Sequence, residues 1–189
     1  IIASLAHTLK KCEDKGVLVI AATGNEGDDR IDVPASYPTV LAIGSIKNNG
    51  EPSNFSNWSK IINTSGLVAP GENIIGAIPS TKNDQAIAGG TSFSTAIVSG
   101  VAALLASLQI QQGMEKDLLS IRSILLNSVT PCSIKERINC DRIMTGRLNI
   151  NNAMSEIISE STSNLPLDDT KLINKVTLSS DAIITTKPE

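Results

Sequence analysis

One serine in this sequence lies where a nucleophile would be well placed. Ser92 belongs to residues 88–96, a segment of small residues that leads directly into an apolar helical pattern over residues 94–108. The first turn of a helix presents N–H groups and the positive end of the helix dipole, which stabilise an oxyanion that develops beside a nucleophile. Serine and threonine also begin ordinary helices, and from this segment alone a plain helix start is the commoner explanation.

A second polar segment follows a predicted strand. Asn25 lies in Thr23-Gly24-Asn25-Glu26-Gly27, directly after the apolar residues 17–22. The carboxyl ends of the strands of a parallel sheet are where α/β proteins place their sites, and the Asn25 amide could donate a hydrogen bond there. Asparagine is also a frequent turn residue, so this segment too has a purely structural explanation.

Apolar runs predict an α/β fold that would position these two segments. Residues 17–22 and 40–46 are continuous, contain β-branched residues and are typical of strands covered on both faces in a parallel sheet. A tight turn is expected at Asn49-Gly50. Apolar spacing predicts helices from residue 2 to a Gly16 cap, over residues 94–108 and 118–129, and from an Asn151-Asn152 cap. The helix over 94–108 is apolar nearly all round, so we expect it to be buried.

Composition excludes several classes of partner. The chain has 189 residues, 41% apolar, with a net charge of −3 and no Lys/Arg cluster that could follow a phosphate backbone, so we expect no nucleic-acid partner. No run approaches the ~18 consecutive apolar residues of a membrane span, so we expect no membrane partner. The three cysteines form no C-x-x-C pair, which argues against zinc. Cys132 and Cys140 could form a disulfide or remain two free thiols.

Five short motifs, in this order along the chain, carry a resemblance to the subtilisin-like serine proteases (subtilases). Residues 21–27 resemble the strand with the family's oxyanion asparagine, and Gly90-Thr91-Ser92 resembles its nucleophile motif. Residues 33–40, 68–71 and 145–149 resemble a loop, a turn and the final strand of the family. The resemblance covers about residues 3–156. It implies a three-layer α/β fold in which helices cover both faces of a mostly parallel twisted sheet.

The resemblance also implies roles for individual residues. Ser92 would be the nucleophile, and its N–H together with the Asn25 amide would form the oxyanion hole. The substrate-binding residues would be Ala21, Ala22, Thr23, Gly24 and Thr91, of which the first three form a wall of the S1 pocket. The Val33–Pro34 bond would be cis. No cofactor is implied, and no calcium site is expected at residues 64–66.

Two family motifs are absent from this sequence. The catalytic aspartate and the H-G-T-x-V-A-G helix would precede Asn25, and neither occurs here. His7 lies in the first predicted helix, where the family has no base, and we expect it to be a structural or surface residue. We therefore expect residues 1–156 to be the carboxyl-terminal half of a subtilase catalytic domain. Its missing amino-terminal half would come from another chain or segment, and residues 157–189 would be an acidic linker or docking tail.

The segment from Thr130 to Cys140 narrows the resemblance to cyanobactin-maturation proteases, which cleave ribosomal precursor peptides. The expected function is therefore that of a serine endopeptidase with a peptide or protein substrate, and this resemblance favours the cytoplasm. The alternative is a pseudoprotease half that binds peptides or serves as a scaffold. An α/β-hydrolase is disfavoured because Gly90-Thr-Ser92-Phe-Ser94 lacks the final glycine of G-x-S-x-G.

Overall fold

The computed structural model describes residues 2–60, 65–77, 85–133 and 140–163. Thr64 and the part of the predicted tail beyond residue 163 lie outside these ranges. The elements in chain order are α1 (Ile2–Asp14), β1 (Val19–Ala22), β2 (Val40–Ile46), β3 (Gly66–Pro70), β4 (Ile74–Ala77), β5 (Gln85–Ala88), α2 (Thr91–Gln111), α3 (Leu118–Asn127), a 3-10 turn (Cys140–Arg142) and α4 (Ile150–Ser163).

The central sheet is parallel and covered on both faces. Its order is β1-β2-β3, while β4 and β5 form a separate antiparallel pair. In β2, Leu41 and Ile43 face a core shared with α2, α3 and α4. Val40 and Ala42 alternate with them and face a second core that includes Leu9 of α1. Because alternate residues of a strand point to opposite faces, the layers are helices, sheet and helix, as the sequence predicts.

Most predicted elements are confirmed, with shifts at their ends. Gly16 ends α1 with a φ of 67°, and the Val17 N–H donates to the Cys12 carbonyl, which is the bonding expected of a glycine helix cap. The strand predicted over 17–22 begins two residues later, because Val17 is exposed in the connection from α1. The predicted turn at Gly50 is present, with a φ of 83°.

Two expectations about the later helices are wrong. The helix predicted over 94–108 runs from Thr91 to Gln111, and only one of its faces is buried, since Leu104 is 71% exposed and Ile110 58% exposed. Its length and apolar character would let it span a membrane, but its buried face packs on the sheet, and core helices pass the same test. The cap of α4 is Asn149, whose Oδ1 accepts the Asn152 N–H at 3.0 Å, and not the 151–152 pair.

Two covalent details are settled by the structure. The Val33–Pro34 bond is cis, as the family resemblance predicts. Cys132 and Cys140, for which the sequence left two possibilities open, form a disulfide. The third cysteine, Cys12, is a free thiol in α1.

The packing of α2 predicts that two adjacent leucines differ in importance. Leu105 is 1% exposed in the main core and Leu104 is 71% exposed. We expect Leu105→Ala to lower the free energy of unfolding by about 2–5 kcal/mol through lost burial and a cavity. The matched substitution Leu104→Ala should change it by less than about 0.5 kcal/mol. Urea unfolding of both variants measures the difference, and equal losses would contradict the assignment of the buried face.

Candidate active site

The start of α2 is fixed to the end of the central sheet. Ser94 is buried and its hydroxyl donates to the Ala69 carbonyl at 2.9 Å, while the Gly90 N–H donates to the Gly71 carbonyl at 2.8 Å. A side chain at Gly71 would collide with the hydroxyls of Ser94 and Ser45. The backbone after β3 therefore approaches the helix start closely, and only glycine fits there.

Ser92 lies in the first turn of α2 with its side chain exposed, as the sequence predicts for this segment. The helix is capped by Gly90, which contributes no side-chain hydrogen bond. The first N–H groups of a helix have no acceptor within it. At this end the Thr91 N–H donates to Asn25 and the Phe93 N–H donates to the Gly90 carbonyl. The N–H of Ser92 lies between these two, at the positive end of a 21-residue helix.

Asn25 follows β1 and reaches across to the start of α2. Its Oδ1 accepts the Thr91 N–H at 2.9 Å and the Thr91 hydroxyl at 3.0 Å. A backbone N–H can only donate, so this contact fixes which end of the amide is oxygen and leaves Nδ2 to donate elsewhere. The amide lies beside Gly90, where a side chain atom would be 3.7 Å from Nδ2. The two segments that the sequence singles out are thus brought together.

The other predicted substrate-binding residues form the strand end that leads into Asn25. Ala21 and Thr23 are buried, and Ala22 and Gly24 are half-buried. The Thr23 N–H donates to the Ile43 carbonyl in β2, which holds this end in the sheet. The Thr91 hydroxyl also reaches the Gly24 carbonyl at 3.3 Å, so Thr91 contacts both Gly24 and Asn25.

His7 does not belong to this arrangement. It is exposed on α1, which packs through Leu9 on the face of the sheet opposite α2. The expectation that His7 is a surface residue is confirmed. Ser92 therefore has no imidazole from α1 beside it.

Two residues beside Asn25 were not singled out from the sequence. Glu26 is half-exposed and accepts hydrogen bonds from the Asn25 N–H and from the side chain of Asn57, which is 1% exposed. The bond from Asn57 is the main cause that lowers the pKa of Glu26; partial desolvation opposes it, and backbone N–H groups and Arg30 reinforce it. Asn57 lies 31 residues after Glu26, and no periodicity in the sequence signals that pairing.

Comparison with known proteins agrees with this geometry. The subtilase family model matches residues 2–163. The major intracellular serine protease of Bacillus subtilis (strain 168) is 38% identical over 120 residues, which are 61% of this chain and 36% of that protein. The Bacillus sp. (strain AK1) thermophilic serine proteinase is 36% identical over 60% of this chain and 28% of its own length.

Solved structures of peptide-maturation enzymes are similar as well. The prenylagaramide maturation protease PagA has a TM-score of 0.76 and 44% identity, over 81% of this chain and 55% of that one. The patellamide maturation protease PatA has a TM-score of 0.77 and 41% identity, over 82% of this chain and 56% of that one. The predicted likeness to cyanobactin-maturation proteases is confirmed. The chain spans about a third of the first curated relatives and about half of these structures, and it belongs to the subtilase family.

Proposed function

We propose that this chain provides the nucleophile and the oxyanion hole of a serine endopeptidase. The observation that carries the proposal is the Thr91–Asn25 contact. It binds the Asn25 amide oxygen to the residue before the exposed Ser92, at the start of α2, and leaves Nδ2 as the donor. Two donors, Nδ2 of Asn25 and the N–H of Ser92, would then converge on one oxygen, which is what acyl transfer needs when a carbonyl oxygen becomes an anion.

The chemistry proceeds in two stages. The Ser92 hydroxyl attacks the carbonyl carbon of the scissile bond and transfers its proton to a general base, and the two donors stabilise the oxyanion. The carbon–nitrogen bond then breaks, the amine leaves with the proton, and the acyl group stays on Ser92. Water attacks this ester in the second stage and passes its proton to the base; the base returns that proton to the Ser92 oxygen as the ester bond breaks and the acid is released.

The general base in this proposal comes from outside this sequence. His7 is the chain's only histidine and lies on the other side of the sheet from α2. We propose that a further segment or a second chain supplies the aspartate and histidine. The chain up to the end of α4 at Ser163 then acts as the carboxyl-terminal half of the catalytic domain, since Ile157 is buried in its core, and the residues that follow act as a linker or docking tail.

The substrate we propose is a ribosomal precursor peptide. The small, half-buried side chain of Ala22 at the strand end would leave space for a sizeable residue before the cleaved bond, whereas Ala21 packs in the core with Leu9. Structures similar to this chain include maturation proteases and also a macrocyclase in complex with a peptide, which matches with a TM-score of 0.76 and 38% identity. An acyl group on Ser92 can be taken by water or by an amine, and hydrolysis is the outcome we propose.

A second candidate function is peptide binding without cleavage. The observation that favours it is the single histidine, exposed on α1. In that case the Asn25 donor would bind a peptide carbonyl in its ground state. Reaction of Ser92 with a mechanism-based reagent separates the two functions, because a binding module has no activated serine.

The first prediction concerns Ser92 and Asn25 in the complete protease, meaning this chain together with the segment that carries the base. A fluorophosphonate should modify Ser92, mapped by mass spectrometry of the peptides. Asn25→Ala should lower kcat by about 10²–10³ with little change in KM, a magnitude taken from subtilisin. Asn151→Ala, an exposed asparagine in α4, is the matched control and should leave kcat unchanged. Labelling of another serine, or none, would contradict the assignment.

The second prediction concerns the source of the base. The 189-residue chain alone should show only the ~10³–10⁴-fold acceleration over water that remains in subtilisin without its triad. Adding the segment with the aspartate and histidine should raise cleavage of a fluorogenic peptide by several powers of ten. His7→Ala should leave the rate of that mixture unchanged. Full activity of the lone chain, abolished by His7→Ala, would show that His7 is the base and that this proposal is wrong.

A further inference from the structure

We propose that Asn57 is a positioning residue for the oxyanion hole and acts through Glu26 on Asn25. The inference rests on the proposed function. It deepens that function because it names a residue, distant in sequence, that sets where the Asn25 amide lies. Asn57 itself would touch neither the substrate nor the reacting atoms.

Asn57 binds the turn after β1 at three alternate positions, residues 24, 26 and 28. Its Oδ1 accepts the N–H groups of Glu26 at 3.0 Å and of Asp28 at 3.1 Å. Its Nδ2 donates to Glu26 Oε2 at 2.6 Å, and the same oxygen accepts the Asn25 N–H at 3.1 Å. The backbone N–H of Asn57 donates to the Gly24 carbonyl at 3.1 Å. Residues 24, 26 and 28 therefore bind Asn57 directly, and residue 25 is linked to it through Glu26.

The loop that carries Asn57 packs closely against the turn after β1 at two glycines. Gly24 has a φ of 109°, and a side chain there would collide with Asn57 Nδ2. Gly27 has a φ of 76°, and a side chain atom there would lie 2.6 Å from the Asn54 carbonyl oxygen. Residue types with side chains rarely adopt these positive φ values. Both glycines thus allow the loop that carries Asn57 to press against the turn.

Hydrogen bonds with Arg142 and with β2 hold the loop that carries Asn57. The Arg142 guanidinium donates to the carbonyls of Ser53, Asn54 and Ser56 at 2.9 to 3.2 Å. The Ser56 hydroxyl accepts the Ser45 N–H of β2 at 2.9 Å. These contacts hold Asn57 in place relative to the sheet, and Asn57 binds the turn after β1.

Asn25 is consequently held at two points. Thr91 binds its side-chain oxygen, and Glu26, oriented by Asn57, binds its backbone N–H. An oxyanion-hole donor must lie about 2.7–3.1 Å from the developing anion, so a small displacement of the turn weakens the donor in the transition state. A perturbation at Asn57 should therefore appear in kcat and leave KM almost unchanged.

The charges around Glu26 determine which substitution is informative. Arg30 faces Glu26, Asp28 and Asp32 at 3.7, 3.7 and 3.8 Å, and all four side chains are about half exposed. Asn57→Asp keeps an oxygen for the N–H groups of Glu26 and Asp28 but places a carboxylate against Glu26. Two carboxylates in contact raise the pKa of one of them, so the pair takes up a proton as the pH falls and regains the lost hydrogen bond.

The test measures kcat and KM for the complete protease across a range of pH. We expect Asn57→Asp to lower kcat about tenfold at neutral pH with KM within about twofold. The ratio of variant kcat to parent kcat should rise as the pH falls. Adding Glu26→Gln to Asn57→Asp should recover several-fold of the loss at neutral pH, because the introduced amide can donate to the introduced carboxylate. Asn151→Asp, an exposed asparagine in α4, is the matched control and should give a ratio of one at every pH.

Every outcome of this test either supports or contradicts the positioning role of Asn57. If Asn57→Asp does not fold, as judged by its thermal unfolding, Glu26→Ala replaces it, since that half-exposed position tolerates truncation. Glu26→Ala should lower kcat several-fold with KM unchanged, and Glu26→Gln should lose less, because its amide oxygen can still accept the Asn25 N–H. A kcat ratio of one, a ratio independent of pH, or a loss confined to KM overturns the positioning role alone. No cleavage and no Ser92 labelling by the parent overturns the proposed function and this role with it.

Discussion

The contact between the Asn25 amide oxygen and the backbone N–H of Thr91 is the interaction on which the candidate site depends. It joins the turn after β1 to the first residue of α2, two places that are 66 residues apart. Those places can meet only because β1 and β3 are both parallel to β2 and therefore end at the same edge of the sheet. The Gly71 turn then brings the chain close enough for Ser94 to bind the Ala69 carbonyl.

The two faces of the sheet pack against different helices. The face that includes Leu41 and Ile43 anchors α2, so it fixes the direction in which the helix start points. The opposite face carries α1, and with it the chain's only histidine. A group on α1 is therefore separated from the start of α2 by the sheet, which explains on physical grounds why His7 is not part of the candidate site.

The elements that depend on local patterns could be predicted from the sequence, and the details that depend on distant contacts could not. Continuous apolar runs marked β1 and β2, and the small-residue segment correctly placed Ser92 at a helix start. The pattern of α2 is apolar nearly all round, so it could not show which face packs on the sheet, and Leu104 proved exposed. Asn57 was missed because its partners are some 30 residues away and nothing in its own neighbourhood distinguishes it from a surface loop residue.

In the proposed site, the groups that would stabilise the oxyanion are distinct from the group that would accept the proton. Oxyanion stabilisation needs fixed dipoles, and in the proposed site these would be one helix start and one amide held by Thr91. Proton transfer needs a general base, and the ion-pair cluster described beside Asn25 consists of Arg30 with the carboxylates of Glu26, Asp28 and Asp32. Glu26 is a weak base, because its oxygen accepts hydrogen bonds from Asn57 and Asn25 that favour the anion and lower its pKa. In the proposed site, Glu26 would therefore orient the Asn25 amide, and the proton of Ser92 would pass to a base on another segment or chain.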